Sequence, residues 1–218
     1  MINTSGGMTG GDKIDWSFSV AENACLTLTT QAFERVYKSS GGLACTNIHL
    51  ELQAGAKLAW LPQETILFDQ SAYSRTINVD TTAGADLLMV EPVVFGRAAM
   101  GETIKTLTFF DQWRIHVDGE LHHAESTKLA GDAASILGNS FATDGASAMA
   151  TILFVSRRAE GLQDPVRSLL SNSDAASAWK GKLVVRMLAK DDYVLRQRLI
   201  PIINLLHHPD PLPKIWTS

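Results

Sequence analysis

The chain has 218 residues, of which 45% are hydrophobic and 19% are charged, and its formal net charge is -4. This composition excludes an intrinsically disordered chain and predicts one globular domain over residues 1–218. No lysine- or arginine-rich run is present, so neither a nucleic acid nor a membrane surface is an expected partner.

The two cysteines, Cys25 and Cys45, are too few for a disulfide framework or a zinc site. The sequence opens without a basic segment followed by an apolar run, and no apolar stretch reaches the ~20 residues that span a bilayer. These features predict a cytoplasmic protein with reduced thiols.

Near the start lies a glycine-rich segment, SGGMTGGD, whose glycines are Gly6, Gly7, Gly10 and Gly11. A dinucleotide fingerprint needs glycine at its first, third and sixth positions, but the third position holds Met8. A phosphate-binding loop needs lysine after its second glycine, where this chain has Asp12. The segment therefore predicts a tight turn before a strand, in which Asp12 is either a turn cap or a functional carboxylate.

The N-terminal two thirds of the chain are predicted to form short strands. Apolar and polar residues alternate in IDWSFSV, IHLEL, TINVD and WRIHV, which begin at residues 14, 48, 76 and 113. Alternation with a period of two predicts strands with one buried face and one exposed face.

These strands belong to a larger repeat. The first three are each followed by a turn, an alanine and a second apolar run, and the alanines (Ala24, Ala56, Ala85) are 32 and 29 residues apart. Each unit then carries an aromatic residue: Tyr37, Phe68 and Phe95. WRIHVDGELHH is a weaker fourth copy. The repeat favours helically stacked, solenoid-like β-structure, and a β-sandwich of ordinary hairpins stays open as the alternative.

The last third changes in composition. Residues 131–150 are rich in small and polar residues and predict a long surface loop, followed by strands at 151–156 and 182–188. One helix is predicted to begin with Asp164 as its cap and Pro165 at its first position. A second begins at Asp191 and Asp192, and Pro201 is expected to kink it or end it early, before an extended tail. The predicted fold is thus mainly β with about two C-terminal α-helices.

Neither the histidines nor the possible nucleophiles of the sequence form a pattern that predicts a catalytic site. The chain has no Gly-x-Ser-x-Gly nucleophile motif, and neither cysteine lies in a known catalytic signature. His122 and His123 are consecutive on a predicted strand, so they are expected on opposite faces and unable to share a metal. His207 and the histidine after it predict at most weak binding of a transition metal.

Three glutamates are the main candidates for a functional site: Glu64 in WLPQET, Glu91 in MVEPVVFGR and Glu102 in AMGET. Glu64 and Glu91 occupy nearly equivalent places in two repeats, so stacking would align them. Aligned carboxylates repel each other unless Arg97, a metal ion or water lies between them. The pattern favours an acidic channel or interface, while ordinary exposed or paired acids, or a catalytic pair in a cleft, are the alternatives.

Four segments together resemble one family. NTSGGMTGGD, LTTQAFERVYKS, LAWLPQETILFD and EPVVFGRAAMGE, followed by the ending PKIW, are similar to the urease accessory protein D family, called H in some organisms. The resemblance covers nearly the whole chain and implies a mainly β fold with strands in a helical stack. That family usually has several dozen residues before Asn-Thr-Ser-Gly-Gly, so this chain is expected to lack the family's N-terminal strands.

The resemblance also implies a function. Members are non-enzymatic chaperones that bind apo-urease and the F accessory protein, which recruits the GTPase G, and an internal tunnel is thought to pass nickel. No tightly bound cofactor is implied, only transient Ni²⁺. Matching the motifs residue by residue gives the candidates Asp12, Glu64, Glu91 and Glu102 for nickel passage and Gln63, Arg97, Gly101 and the four early glycines for structure. A solenoid protein-binding module without a metal role is the alternative.

Overall fold

The structure is a computed structural model that describes residues 1–96, 104–139, 143–207 and 211–217. The strands of this part of the chain are β1 (Lys13–Val20), β2 (Cys25–Leu28), β3 (Glu34–Val36), β4 (Ala44–Leu52), β5 (Lys57–Trp60), β6 (Thr65–Leu67), β7 (Ser71–Thr81), β8 (Asp86–Phe95), β9 (Thr106–Val117), β10 (Glu120–Asp132), β11 (Ala148–Val155), β12 (Ala175–Trp179) and β13 (Lys182–Ala189). Its α-helices are α1 (Ala133–Leu137), α2 (Gln163–Arg167), α3 (Asp192–Leu206) and α4 (Lys214–Thr217).

The strands form two facing sheets. The first sheet has the order β1-β4-β7-β9-β10, and its first four strands are parallel. The second sheet has the order β12-β13-β11-β8-β5-β2, with β6 also paired to β8 and β3 to β6. The chain passes from sheet to sheet in three coils, β1-β2-β3, β4-β5-β6 and β7-β8. The predicted solenoid-like, mainly β fold is therefore confirmed.

The alanine repeat marks the register of these coils. Cys25, Lys57 and Asp86, each directly after one of the three alanines, are neighbours across β2, β5 and β8. The aromatic rings of Tyr37 and Phe68 meet edge to face at 5.0 Å between centroids. The third aromatic residue of the repeat, Phe95, lies inside β8 and pairs with Leu67, the residue before Phe68.

The predicted fourth copy does not continue the coil. β9 stacks on β7 as a further parallel strand, but β10 then folds back antiparallel to β9. Asp118 and Gly119 have positive φ values of 51° and 82°. Two such residues make the tight hairpin turn that matches strand twist, so the chain reverses within its own sheet here.

Inward-facing residues of the first sheet stack in columns. One column runs Trp16, Ile48, Ile77 and Trp113, and its residues lie between the two sheets. A second apolar core lies between the second sheet and the C-terminal helices, with Leu199 among its fully buried members. Strand β8 contributes to both cores and, through Val93 and Phe95, to a third around Phe109, so it is buried along almost its whole length.

The C-terminal elements differ in part from those predicted. The Asp191 side chain caps α3 as expected, because it accepts a hydrogen bond from the Val194 amide at 2.7 Å. The prediction that Asp164 caps α2 was wrong, since the helix begins at Gln163 and has no side-chain cap.

Pro201 was predicted to kink helix α3 or to end it early, and the early end is wrong, since the helix continues through this proline to Leu206. Proline inside a helix costs about 3 kcal/mol through the lost hydrogen bond and steric clash. Leu199, Ile202 and Ile203 flank Pro201 and are fully buried against the second sheet. Their burial outweighs that cost, while Pro201 itself lies on the exposed side.

Two segments predicted as irregular contain regular structure. The predicted loop at 131–150 holds the end of β10, helix α1 and the start of β11. Asp132 caps α1 by accepting a hydrogen bond from the Ser135 amide at 2.8 Å. The predicted extended tail ends in α4, which exists because Trp216 is fully buried there.

The glycine segment forms the predicted tight turn against β3. Met8 is buried and pairs with Val36, with its amide donating to the Arg35 carbonyl at 2.7 Å. Gly7 has a φ of 139°, and a Cβ atom there would lie 2.5 Å from a Tyr37 ring carbon. Both the backbone angle and the close approach require glycine at this position.

We expect Gly7→Ala to lower the free energy of unfolding by about 1–3 kcal/mol more than Gly6→Ala. Gly6 also has a positive φ, of 78°, but a Cβ atom there would meet nothing within 4 Å. Both variants place alanine at a positive φ, but only Gly7→Ala also introduces a steric clash, so comparing them separates the two effects. Urea denaturation of both variants checks the prediction, and equal losses would show that the contact with Tyr37 is not decisive.

Candidate functional site

Three charged side chains meet between the two sheets and form what we call the interior charge cluster: Arg75, Glu91 and Asp111. Arg75 on β7 and Asp111 on β9 are direct neighbours in the first sheet. Their side chains form a two-point pair, with Nε to Oδ1 at 3.0 Å and Nη2 to Oδ2 at 2.6 Å. Glu91 on β8 enters from the second sheet and accepts a hydrogen bond from Arg75 Nη1.

Two tryptophans complete the hydrogen bonding of this cluster. Trp60 Nε1 donates to Glu91 Oε1 at 2.7 Å, and Trp113 Nε1 donates to Asp111 Oδ1 at 3.0 Å. Arg75 and Glu91 are each only 3% exposed and Asp111 is 5% exposed. The cluster is therefore removed from bulk water, and its charges are compensated by each other and by the indole N–H groups.

Burial sets the protonation of the cluster. Removal from water raises the pKa of Glu91 to about 7, although the charge of Arg75 acts in the opposite direction. For Arg75, burial alone lowers the pKa, but the charges of Asp111 and Glu91 outweigh it and the net shift is upward. One arginine faces two carboxylates, so the cluster changes between a net charge of -1 and zero as Glu91 takes up a proton.

A cavity adjoins Glu91 between the sheets. Arg75 and Glu91 line one part of it, and Trp16, Thr30 and Glu34 line another. A second cavity shares Trp16, Thr30 and Glu34 and continues to Gly7 in the glycine segment. Burial also raises the pKa of Glu34, whose carboxylate accepts hydrogen bonds from the side-chain amide of Asn3. Glu91 therefore lines one of two neighbouring cavities, and Glu34 lines both.

Glu64 has different surroundings. Arg196 of α3 donates from Nη1 to Glu64 Oε1 at 3.0 Å and to Gln63 Oε1 at 3.1 Å. The Arg196 guanidinium lies 4.7 Å from the ring centroid of Trp216, whose indole N–H donates to the Leu61 carbonyl at 3.0 Å. Glu64 thus binds the C-terminal helices, whereas Glu91 faces the first sheet.

The corner between β5 and β6 explains this divergence. Trp60 is level with Met89 of β8, and Thr65 is level with Val93, so four residues of the second coil oppose three residues of β8. Because side chains alternate between the two sides of a sheet, the extra residue turns Glu64 towards the C-terminal helices while Glu91 faces the first sheet. Glu64 thus lies at the corner before β6, whereas Glu91 lies inside the continuous strand β8, and each carboxylate pairs with its own arginine.

The remaining sequence candidates are distributed elsewhere. Asp12 is exposed and accepts a hydrogen bond from the Thr9 amide at 2.8 Å, which makes it a turn cap in this structure. Gln63 is buried, and its Nε2 has no hydrogen-bond partner. Arg97, Gly101 and Glu102 lie outside the described residues.

The sequence analysis missed the arginines that neutralise both glutamates. A signal for Arg75 and Asp111 was present, because each occupies an inward position between apolar inward residues, Tyr73 and Ile77 in β7 and Phe109 and Trp113 in β9. A charged residue at an inward position must have a partner in the interior. Arg196 gave no such signal, since a partly exposed arginine on a helix is ordinary.

We expect the free energy of unfolding to fall as pH rises from about 4.5 to about 7 because of Glu91. Its pKa is about 7 in the folded chain against an ordinary value of 4.5, so the folded state binds more protons in this window. Glu91→Gln removes this contribution. Urea denaturation at pH 5 and pH 8 gives the change in the free energy of unfolding between these pH values for each protein. The difference between the two changes is the contribution of Glu91.

The comparison with the variant is needed because His123 acts in the opposite direction. Burial lowers the pKa of His123 to about 4, so its contribution is present above pH 6.5 and is lost as pH falls towards 4. Parallel pH profiles for the wild-type protein and Glu91→Gln would contradict the assignment to Glu91.

Neither a metal centre nor a membrane span emerges from the described part of the chain. Among these residues no three His, Cys, Asp or Glu side chains are arranged to hold a metal ion. None of the helices described is both long and apolar enough to cross a membrane.

Comparisons with a family model and with known proteins all indicate the same family. The sequence model of the UreD urease accessory protein family matches residues 1–217. The urease accessory protein UreD of Mesorhizobium japonicum is 45% identical over 100% of this chain and 79% of its own length. The UreD of Rhizobium etli is 45% identical over 99% of this chain and 80% of its own length. UreD 1 of Brucella abortus is 43% identical over 100% of this chain and 79% of its own length. The chain therefore belongs to the UreD urease accessory protein family.

Proposed function

We propose that this chain is a cytoplasmic, non-catalytic scaffold in urease maturation. It binds apo-urease and the F accessory protein, which brings the GTPase G, and it passes nickel along its interior. The family match and the names of its relatives support the role in maturation. The observation that carries the proposed interior route is Glu91, a buried carboxylate that lines a cavity next to a second cavity lined by Glu34.

The interior charge cluster has the properties of a transient cation site. A carboxylate with a pKa of about 7 is partly protonated at neutral pH, so an arriving divalent cation exchanges with a proton. With Glu91 ionised, the cluster has a net charge of -1 and attracts the cation. Arg75 limits the affinity by occupying the same carboxylates. Oxygen ligands hold nickel less tightly than thiolate or imidazole groups, which favours release.

A protein-binding module without a metal role is the second candidate. It is favoured by the pairing of Glu64 with Arg196 and of Glu91 with Arg75, which leaves neither carboxylate unpaired. Both candidates predict complexes with urease and the accessory proteins. They differ in whether the protonation and charge of Glu91 affect nickel transfer.

The test is co-expression with the urease subunits and the F and G accessory proteins, followed by affinity purification and a urease assay over a nickel series. Glu91→Gln keeps the size and the hydrogen-bond acceptor for Trp60, and it resembles the protonated glutamate. Glu51→Gln removes an exposed carboxylate from the outer face of the first sheet and serves as the matched control. We expect Glu91→Gln to give a normal yield of complex but severalfold lower activation at limiting nickel.

Each result has a defined meaning. Recovery of that activity with excess nickel supports transfer through the interior. Wild-type activation by Glu91→Gln at every nickel concentration, with the complex intact, excludes the interior route and favours the binding module. Failure of the wild-type chain to bind any of these proteins contradicts the scaffold role itself.

A further inference from the structure

A β-bulge brings His122 and His123 to one cleft. Leu121 pairs with His116 and His123 pairs with Ile115, so His122 is an extra residue in β10 without a partner in β9. A bulge suspends the alternation of side chains between the two faces of a strand. The expectation that these consecutive histidines face opposite sides was therefore wrong, since both line the same cleft.

The cleft lies between β10 and the hairpin formed by β12 and β13. It has a volume of about 470 Å³, which is in the range of small-molecule sites. The Nε2 atoms of His122 and His123 are buried and have no hydrogen-bond partner, and His123 is only 8% exposed. Buried polar atoms are rarely left unpaired, so these two nitrogens indicate a missing ligand.

The charges around the cleft are mostly positive. Lys182 donates from Nζ to the His122 carbonyl, and Nζ lies 4.9 Å from the centroid of the Trp179 ring. Arg186 pairs with Glu125, whose carboxylate is also 3.9 Å from His123 Nε2. Lys180, at the tip of the hairpin, lowers the pKa of His122 after burial and Lys182. Three cations and one carboxylate, itself already paired, repel a divalent metal ion.

We propose that this cleft binds an oxyanion, a carboxylate or a phosphate group, between the two histidines and the side chains of Lys182 and Arg186. A neutral imidazole donates one N–H, and neither Nε2 atom has a partner within the protein. Lys182 Nζ carries three N–H groups, of which the His122 carbonyl uses one, and Arg186 has N–H groups beyond those facing Glu125. Trp179 is 41% exposed at the same cleft and offers a flat apolar surface for the rest of the ligand.

Protonation supports this assignment. Burial, and after it the charges of Lys182 and Arg186, lower the pKa of His123 to about 4. The charged groups that face the histidine pair are Lys180, Lys182, Arg186 and Glu125. A bound anion offsets the three cations and raises the pKa of both imidazoles. Anion binding therefore favours proton uptake by the histidine pair.

The test follows the histidine ring signals of the full chain by ¹⁵N NMR during titration. Inorganic phosphate is one probe and a hexaglutamate peptide is the other. We expect the signals of His122 and His123 to shift, while those of the partly exposed His49 and His116 on the outer face of the first sheet stay in place. This comparison is internal to the wild-type protein and does not depend on any variant folding.

A pair of variants then tests the cation. Lys182→Gln is expected to weaken binding by about tenfold or more, and Lys57→Gln, at an exposed lysine of β5, is expected to leave it unchanged. A response to phosphate alone identifies a phosphoryl ligand, and a response to the peptide alone identifies an acidic protein segment. No selective shift with either probe, equal affinity in Lys182→Gln, or stronger selective broadening of His122 and His123 by Ni²⁺ alone overturns the proposal.

Discussion

Replacing Arg75 with methionine is expected to lower the free energy of unfolding by about 3–5 kcal/mol. The substitution leaves Glu91 and Asp111, which are 3% and 5% exposed, as two buried carboxylates without their shared cation. Removal of one partner from a buried ion pair costs more than the pair contributes, because the remaining charge stays desolvated. Urea denaturation with circular dichroism at pH 7.5 measures the loss.

Two further variants make this result specific. Lys13→Met removes a cation from an exposed pair with Asp15 on the same sheet and is expected to change little. The triple variant Arg75→Met/Glu91→Gln/Asp111→Asn removes all three charges and is expected to recover much of the lost stability. If Arg75→Met alone is as stable as the wild-type protein, the three side chains do not form the closed network that the structure shows.

The interior charge cluster also shows why stability and function are expected to be separable here. Arg75 and Asp111 are neighbours within one sheet, whereas Glu91 comes from the other and adjoins the cavity. Neutralising Glu91 leaves one cation facing one carboxylate, which is a balanced pair. Replacing Arg75 with methionine instead leaves two carboxylates without a cation. The test of nickel transfer therefore uses Glu91 and the test of stability uses Arg75.

Much of the coil could be predicted from the sequence because its signals are local and repeated. The spacing of Ala24, Ala56 and Ala85 gave the register of β2, β5 and β8. Alternation gave the inward faces of β1, β4, β7 and β9. The reversal after β9 was missed because the tight turn at Asp118 and Gly119 was not weighed against the pattern of the repeat.

The sites were less predictable because they depend on contacts between distant residues. Glu64 and Arg196 are 132 positions apart, and nothing near either residue indicates the other. His122 and His123 were misassigned because a bulge has no clear sequence signature and strict alternation was assumed. The proline-rich tail predicted an extended chain, but burial of Trp216 outweighed that local preference.

Arg196→Met is expected to release the C-terminal segment and to lower the free energy of unfolding by about 2–4 kcal/mol. Arg196 connects Glu64 and Gln63 of the second coil to α4, because it also donates to the Ile215 carbonyl and stacks on Trp216. Its loss leaves Glu64, at 2% exposure, as a buried carboxylate without a cation. Urea denaturation gives the global loss, and hydrogen exchange of residues 211–217 shows whether α4 detaches.

Two neighbouring substitutions calibrate this effect. Gln197→Met changes an exposed side chain on the same helix that contacts Tyr193, so it is expected to change neither stability nor exchange. Arg196→Lys keeps the charge but loses the planar group that binds several acceptors at once and stacks on the indole, so an intermediate loss is expected. Full protection of α4 in Arg196→Met would show that Trp216 alone holds this segment, and that the contact between Arg196 and Glu64 serves another purpose than docking the C-terminus.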